Sequence, residues 1–198
     1  KCYALRIGST RHTNVKYLQH RKFTWTSEKT KALGVIFHTN KADIIKENFA
    51  KKIEEFKTTL KRWKHRKLTL LGKITVIKTF ALPKLIYPLS TLQTPPKETI
   101  QTLTKTMYDF LWDSKPEKIS RQTIKQDTSK GGLKMIDLDL FINALKCSWV
   151  KRIIDSQNNG QWKYQYVKTL NKYGGKLVFE SELNNTIISD MFKENTFL

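Results

Sequence analysis

The spacing of apolar positions changes along this chain, and the changes delimit its elements. Residues 2–8, CYALRIG, alternate as a strand does, and residues 31–37, KALGVIF, form a short apolar run closed by His38, Thr39 and Asn40. The basic, polar stretch between them, which contains STRHTN, predicts a loop. Together these segments predict a small β element of hairpin type. From Asn40 the period lengthens: Ile45, Phe49, Ile53, Phe56, Leu60 and Trp63 follow at steps of four, four, three, four and three. That is one stripe of an amphipathic helix. Asn40 is its N-cap, and Asp43 favours the positive helix end. The far face carries Lys51, Glu54, Glu55, Lys57 and Lys61, a solvated surface.

Residues 68–81 are apolar in nearly all directions, with Leu70, Leu71, Ile74, Val76, Ile77 and Phe80, and read as a core helix. Their β-branched members leave a buried strand open as the alternative. Pro83 and Pro88 remove backbone donors and disfavour helix at Leu82 and Tyr87, which predicts a kink or break. A third helix follows, with Thr94 as N-cap, Pro95 at the first helical position and a stripe of Ile100, Leu103, Met107 and Phe110. After Trp112 the sequence turns polar through Pro116 to the Gly131-Gly132 pair, and predicts a linker with short extended pieces. A fourth helix is expected over residues 139–154, with Phe141, Leu145, Trp149 and Ile153 near one face. The following SQNNGQWKYQYVKTLNKYGG has no clear period, and no internal repeat is visible.

Composition narrows the class. A chain of 198 residues can bury roughly 70% of its unfolded surface. Hydrophobic residues at 39% and aromatics at 11% exclude a disordered tail. Against 17 Asp and Glu stand 37 Lys and Arg, a formal net charge of +20. Such an excess repels itself in a compact state and points to a polyanionic partner: nucleic acid first, an anionic membrane surface second. A lysine-rich protein without a specific partner is the plain alternative. Cys2 and Cys147 cannot build a disulfide framework and lie in no metal-ligand spacing, which suggests a reducing, intracellular setting. No signal peptide is visible, and a start at Lys1 without Met suggests a piece of a longer chain. No membrane partner is expected through residues 68–89, because Lys73, Lys78 and Lys84 interrupt the apolar run.

Candidate chemistry is sparse. Asp137 and Asp139 could suggest paired metal-binding carboxylates, but before an apolar stripe they read better as N-cap and first-turn residues. His12, His20, His38 and His65 are scattered, and no Gly-rich phosphate loop is present. By its own residues the chain does not read as an enzyme. Binding has a stronger signal: in KRWKHRK, Lys61, Arg62, Lys64, Arg66 and Lys67 crowd one helix end, where cations favour the negative dipole pole. The cluster could hold phosphates without sequence preference, or serve as a solubilising patch or nuclear localisation signal. Trp63 belongs to the apolar stripe and reads as core rather than a base-stacking platform.

The string WKHRKLTLLGKITVIKTFALPKLIYPL, followed by FLWDSKPEKI and then SKGGLKMIDLDLFINALKCSWVKRI, resembles the region just after the catalytic palm in reverse transcriptases of LINE-type, non-LTR retrotransposons. The resemblance covers nearly the whole chain, from KALGVIF to about NNGQW, and rests on the order and spacing of these strings. It implies a mainly α fold: a short N-terminal β-hairpin over residues 1–40 that ends the palm, a helical thumb over 41–114 and an α-rich connector over 115–198. The hairpin would be the primer grip, its second strand similar to Lys31, Ala32, Leu33, Gly34 and Val35, with Lys31, Leu33 and Gly34 positioning the primer. Glycine there would let backbone approach the primer closely.

The partner implied is an RNA/DNA template-primer duplex, with phosphate contacts from Lys61, Arg62, Lys64, Arg66, Lys67 and, as an additional candidate, Lys73. A thumb must hold a duplex of any sequence, so cations and backbone donors should meet phosphate and sugar. The family's catalytic aspartates would lie upstream with the palm and fingers of the same polyprotein, so Mg²⁺ is expected of the intact polymerase and not of this chain, which has no catalytic or metal-ligating residues of its own. Location by resemblance is nucleus and cytoplasm. Two other readings stay open: a standalone retroelement-derived nucleic-acid-binding or scaffold protein, and the product of a decayed element.

Overall fold

A computed structural model describes residues 2–5, 23–155, 157, 160–182 and 184. The fold is mainly helical, with short strands at its N-terminal side. Strand β1 (Cys2–Leu5) pairs in parallel with β2 (Phe23–Thr26), Cys2 opposite Phe23. The remainder of the expected first strand, residues 6–8, and the STRHTN loop lie outside the described residues. Strand β2 falls in a stretch whose basic composition reads as loop, although FTWT alternates threonine with aromatic rings.

The apolar run over residues 31–37 is not one strand. It is divided between β3 (Lys29–Ala32) and β4 (Val35–His38), an antiparallel hairpin in which Ala32 faces Val35 and Lys29 faces His38. Leu33 and Gly34 form the turn, with φ of 49° and 83°. With both angles positive this is the type I′ form, one of the two two-residue hairpin turns that follow the twist of their strands. Gly34 adopts positive φ without strain, whereas Leu33 adopts it against its side chain.

Helix α1 (Lys41–Lys64) begins as its sequence indicates, the Asn40 side chain accepting from the Ala42 N–H at 3.1 Å. Phe49, Phe56 and Leu60 are buried, and Ile45, Ile53 and Trp63 pack partly buried against the same core. Helix α2 (Leu70–Val76) is capped by Thr69, whose hydroxyl accepts from the Gly72 N–H at 3.2 Å. A π-helical turn, Ile77–Ala81, leads into α3 (Pro83–Thr91). Ile74, Ile77, Ala81, Leu82, Leu85 and Leu89 line the buried side, which decides between helix and strand. The expected kink or break is present before Pro83, where α2 gives way to the π-helical turn and a new helix begins, and is not made at Pro88. Pro83 stands in the first turn of α3, where a missing N–H has no helical acceptor to lose, and the adjustment is the wider turn before it, with Leu82 N–H donating to the Ile77 carbonyl at 2.9 Å. Pro88 stays inside α3, its ring buried.

Helix α4 (Lys97–Leu111) starts two residues later than the Pro95 expectation, and Pro96 rather than Thr94 occupies the N-cap. Thr94 and Pro95 each precede a proline, which pushes both out of the helical region, so the helix begins only after the second ring. Ile100, Leu103, Met107 and Phe110 are buried as their spacing indicates, and Tyr108 and Leu111 join them.

The segment after Trp112 is more ordered than a linker. Helix α5 (Arg121–Lys125) buries Ile124, whose carbonyl accepts from the N–H groups of Leu133 and Met135 at 3.1 and 3.0 Å. Gly132 sits in this fold-back. A Cβ there would lie 2.1 Å from the Gln126 carbonyl oxygen, so only glycine fits. Helix α6 (Leu138–Ile154) is capped by Asp137, which accepts from the Asp139 and Leu140 N–H groups at 3.1 and 3.2 Å and pairs with Lys125 at 2.5 Å. The Lys125 hydrogen bond, with those two backbone donors, holds the Asp137 carboxyl below its usual range against an opposing effect of burial. Leu138 and Ile142 are buried, so one hydrophobic core runs from Phe49 to Ile142, across the boundary expected at 114.

The chain divides into two compact units, Lys1–Leu145 and Lys146–Leu198. Of the expected face of α6, Phe141 and Leu145 pack on the first core, while Trp149 and Ile153 belong to the second unit. That unit holds α7 (Trp162–Asn171) and α8 (Leu177–Glu180), with the Trp162 ring 5.8 Å from Trp149 and 6.0 Å from Tyr166.

Candidate nucleic-acid interface

The basic cluster forms the tip where α1 ends. Lys61, Arg62 and Lys64 occupy its last turn, His65 is the C-cap, and Arg66 and Lys67 belong to the short connection to α2. All five cations are exposed. Unpaired carbonyls at a helix C-terminus carry partial negative charge, which helps to gather these side chains. Trp63 is half-buried, its ring 5.0 Å from Phe80 on one side, and the Arg66 guanidinium lies 4.1 Å from its centroid. The indole is thus packed in place and holds Arg66, in keeping with a core position.

Lys73 is not on this surface. Its side chain is 9% exposed, and its ammonium donates to the Leu111 carbonyl at 3.2 Å and pairs with Asp113 at 2.6 Å. It neutralises the C-terminal end of α4, where Asp113 and Ser114 have φ of 53° and 61°, and is committed inside the protein. Lys64 reaches the same turn, its ammonium 3.1 Å from the Ser114 hydroxyl. The ends of α1 and α4 are therefore tied together. Lys73→Met is expected to lower stability by about 1–2 kcal/mol in thermal denaturation, because the Leu111 carbonyl and Asp113 lose their partner. The salt dependence of any duplex binding should stay as in the parent chain, whereas a lysine on a phosphate would reduce that slope.

The other expected site residues surround the hairpin turn. Lys31 is exposed at the end of β3, and Leu33 is 91% exposed at the turn itself, so the residues expected along a second strand instead mark the first strand and the turn. Two helix side chains bond the hairpin backbone, and Lys29 of β3 pairs with Glu47 of α1 at 2.9 Å. The Tyr87 hydroxyl on α3 donates to the Leu33 carbonyl at 2.9 Å. Asn48 on α1 accepts from the Ile36 N–H at 2.9 Å and donates to the Ile36 and Ile44 carbonyls, each at 2.7 Å. Ile36 faces Lys31 in the hairpin register, and its own N–H and C=O turn to the outer edge, where the Asn48 amide acts as a neighbouring strand would. A polar Asn48 beside Phe49 in an apolar stripe was the available signal for this contact.

Between the tip and the turn runs one exposed strip. Leu71, Thr75 and Thr79 follow at helical spacing on α2 and the π-helical turn, Phe80 lies beside them at 48% exposure, and Lys84 and Tyr87 continue it on α3. At 1.5 Å per residue, Leu71 to Tyr87 spans about 24 Å. Arg66 and Lys67 stand at one end and the Leu33-Gly34 turn at the other. Lys78 is half-buried. Arg62 and Lys84 also line a shallow groove of about 320 Å³ with Lys51, Glu54 and Glu55, where carboxylates offset the cations.

Among the described residues no three His, Cys, Asp or Glu side chains come together to hold a metal ion. Asp137 and Asp139 are the cap and first turn of α6. No helix among the described residues is long and apolar enough to cross a membrane. No protein-family model matches the chain.

Proposed function

We propose that this chain is the hairpin, thumb and connector of a LINE-type, non-LTR retrotransposon reverse transcriptase, and that it holds an RNA/DNA template-primer duplex along the exposed strip of α2 and α3. The observation that carries the reading is the strip itself. Lys61, Arg62, Lys64, Arg66 and Lys67 crowd one end, Leu71, Thr75, Thr79 and Phe80 leave the middle uncharged, and beyond Lys84 a rigidly anchored backbone turn closes the other end. A surface that must accept any sequence needs phosphate and sugar contacts on a fixed frame, and no base-edge readers. The buried side of the same helices supplies the frame, since Ile74, Ile77, Leu85 and Leu89 are nearly or fully inaccessible. This chain's part is to hold the duplex, and polymerase chemistry with its Mg²⁺ would reside in the palm of the intact enzyme.

Equilibrium binding of a fluorescent RNA/DNA duplex across a salt series tests the reading. The logarithm of the binding constant should fall linearly with the logarithm of salt concentration. Arg66→Gln with Lys67→Gln should reduce that slope by about 2, from the two phosphates no longer neutralised. Absence of binding at low salt, or a slope unchanged by the double substitution, would overturn it.

A further inference from the structure

The uncharged middle of the strip has a specific hydrogen-bonding state. Thr75 donates its hydroxyl hydrogen to the Leu71 carbonyl at 3.0 Å, and Thr79 donates to the Thr75 carbonyl at 2.8 Å. A threonine hydroxyl has one hydrogen and two acceptor lone pairs. With the hydrogen committed along the helix, the hydroxyl oxygen of each of these exposed threonines keeps its remaining capacity as an acceptor. Phosphate oxygens have no hydrogen to offer it, and deoxyribose inside a strand has none either. The ribose 2′-hydroxyl does, and the wide, shallow minor groove of an A-form helix displays it.

We infer that Thr75 and Thr79 are specificity-determining residues that accept hydrogen bonds from ribose 2′-hydroxyls, so that the strip distinguishes an RNA-containing duplex from one that lacks those donors. The inference rests on the duplex-binding reading above. Four residues of helix separate the two hydroxyls by a rise of about 6 Å, which suits neighbouring nucleotides of one strand. Thr91 on α3 makes the same bond to the Tyr87 carbonyl at 2.8 Å, but it stands one turn past the residue that holds the hairpin turn, whereas Thr75 and Thr79 lie between the tip and that turn. Thr102 and Thr106 on α4 make the same bond to the carbonyl four residues back, but they are not on the strip that joins the basic tip to the hairpin turn.

The test measures binding of the full chain to three duplexes of one sequence: RNA/DNA, 2′-O-methyl-RNA/DNA and DNA/DNA. The 2′-O-methyl strand keeps the base edges but cannot donate from its 2′ position. The parent chain should prefer RNA/DNA over the 2′-O-methyl duplex by about tenfold, the scale of two modest hydrogen bonds. Thr75→Val with Thr79→Val keeps the β-branched shape and should remove that preference while leaving the salt slope unchanged. Thr102→Val serves as the control and should leave the preference intact. Binding with no preference in the parent chain, or a preference that survives the double substitution, overturns the inference and leaves the duplex interface standing. Failure of the parent chain to bind any of the three at low salt overturns the interface, and this inference with it.

Discussion

Reversing Lys61, Arg62, Lys64, Arg66 and Lys67 to glutamate is expected to abolish duplex binding, with a loss of at least about a hundredfold at 0.1 M salt. Each reversal removes a counterion-releasing group and adds a repulsion at the same place. The fold should survive, because all five side chains are exposed and none belongs to the hydrophobic core. Among the described residues the substitutions break the Lys64 bond to Ser114 and the stacking of Arg66 on Trp63, both at the surface, and remove the cations that favour the C-terminal end of α1. Circular dichroism and a melting curve check that expectation. Lys97→Glu and Lys105→Glu on α4 provide the comparison, since both residues are exposed and away from the tip. A loss per charge equal to that at the tip would mean that only overall charge matters, and the interface would have to be abandoned.

The second large effect concerns the hairpin. Asn48→Ala is expected to destabilise the chain by about 2–4 kcal/mol, because three hydrogen bonds go and the Ile36 N–H and C=O are left without a partner at a half-buried edge. Denaturant titration reads the stability, and hydrogen exchange at the Ile36 amide reads the edge directly. Exchange there should accelerate more than at amides in the middle of α1. Asn48→Asp keeps an acceptor for the Ile36 N–H but cannot donate to the two carbonyls, so it should protect that amide better than alanine does. An Asn48→Ala chain with parental midpoint and parental Ile36 exchange would show that the clamp carries no weight. The Tyr87 bond to the Leu33 carbonyl and the Lys29 pair with Glu47 would then hold the hairpin.

Lys73 shows why the candidate site was only partly legible. It interrupts the apolar run that follows the tip cations, and its charge alone gives no sign of where it points. Its direction depends on Asp113 and the Leu111 carbonyl, 40 and 38 residues away in the chain. Lys61, Arg62 and Lys64 were easier to place, because the period that turns Leu60 and Trp63 inward leaves them exposed, and Arg66 and Lys67 follow just past the cap. Leu33 and Gly34 were found as residues but assigned the wrong geometry. Along the sequence KALGVIF is a continuous apolar run, and only the pairing of Ala32 with Val35 reveals a turn in it. The segment after Trp112 misleads in the opposite sense. Its polar composition suggests a linker, yet Ile124 and Met135 are buried in the core, and one apolar residue in a polar stretch has no period from which burial could be read.

Local sequence was enough to specify the helix over Asn40 to Lys64 with its cap, the buried stripe of Ile100, Leu103, Met107 and Phe110, the Asp137 cap of α6 and the basic tip. These features depend on residues within one or two helical turns of each other, a range over which period and capping chemistry act directly. Packing at long range was needed to bury Lys73, to close the edge of β4 with Asn48, to hold the hairpin turn through Tyr87, and to join that turn to the tip by one exposed strip. In each of these the partner lies 12 or more residues away, and only a packed core brings such groups to hydrogen-bonding distance or sets them along one surface.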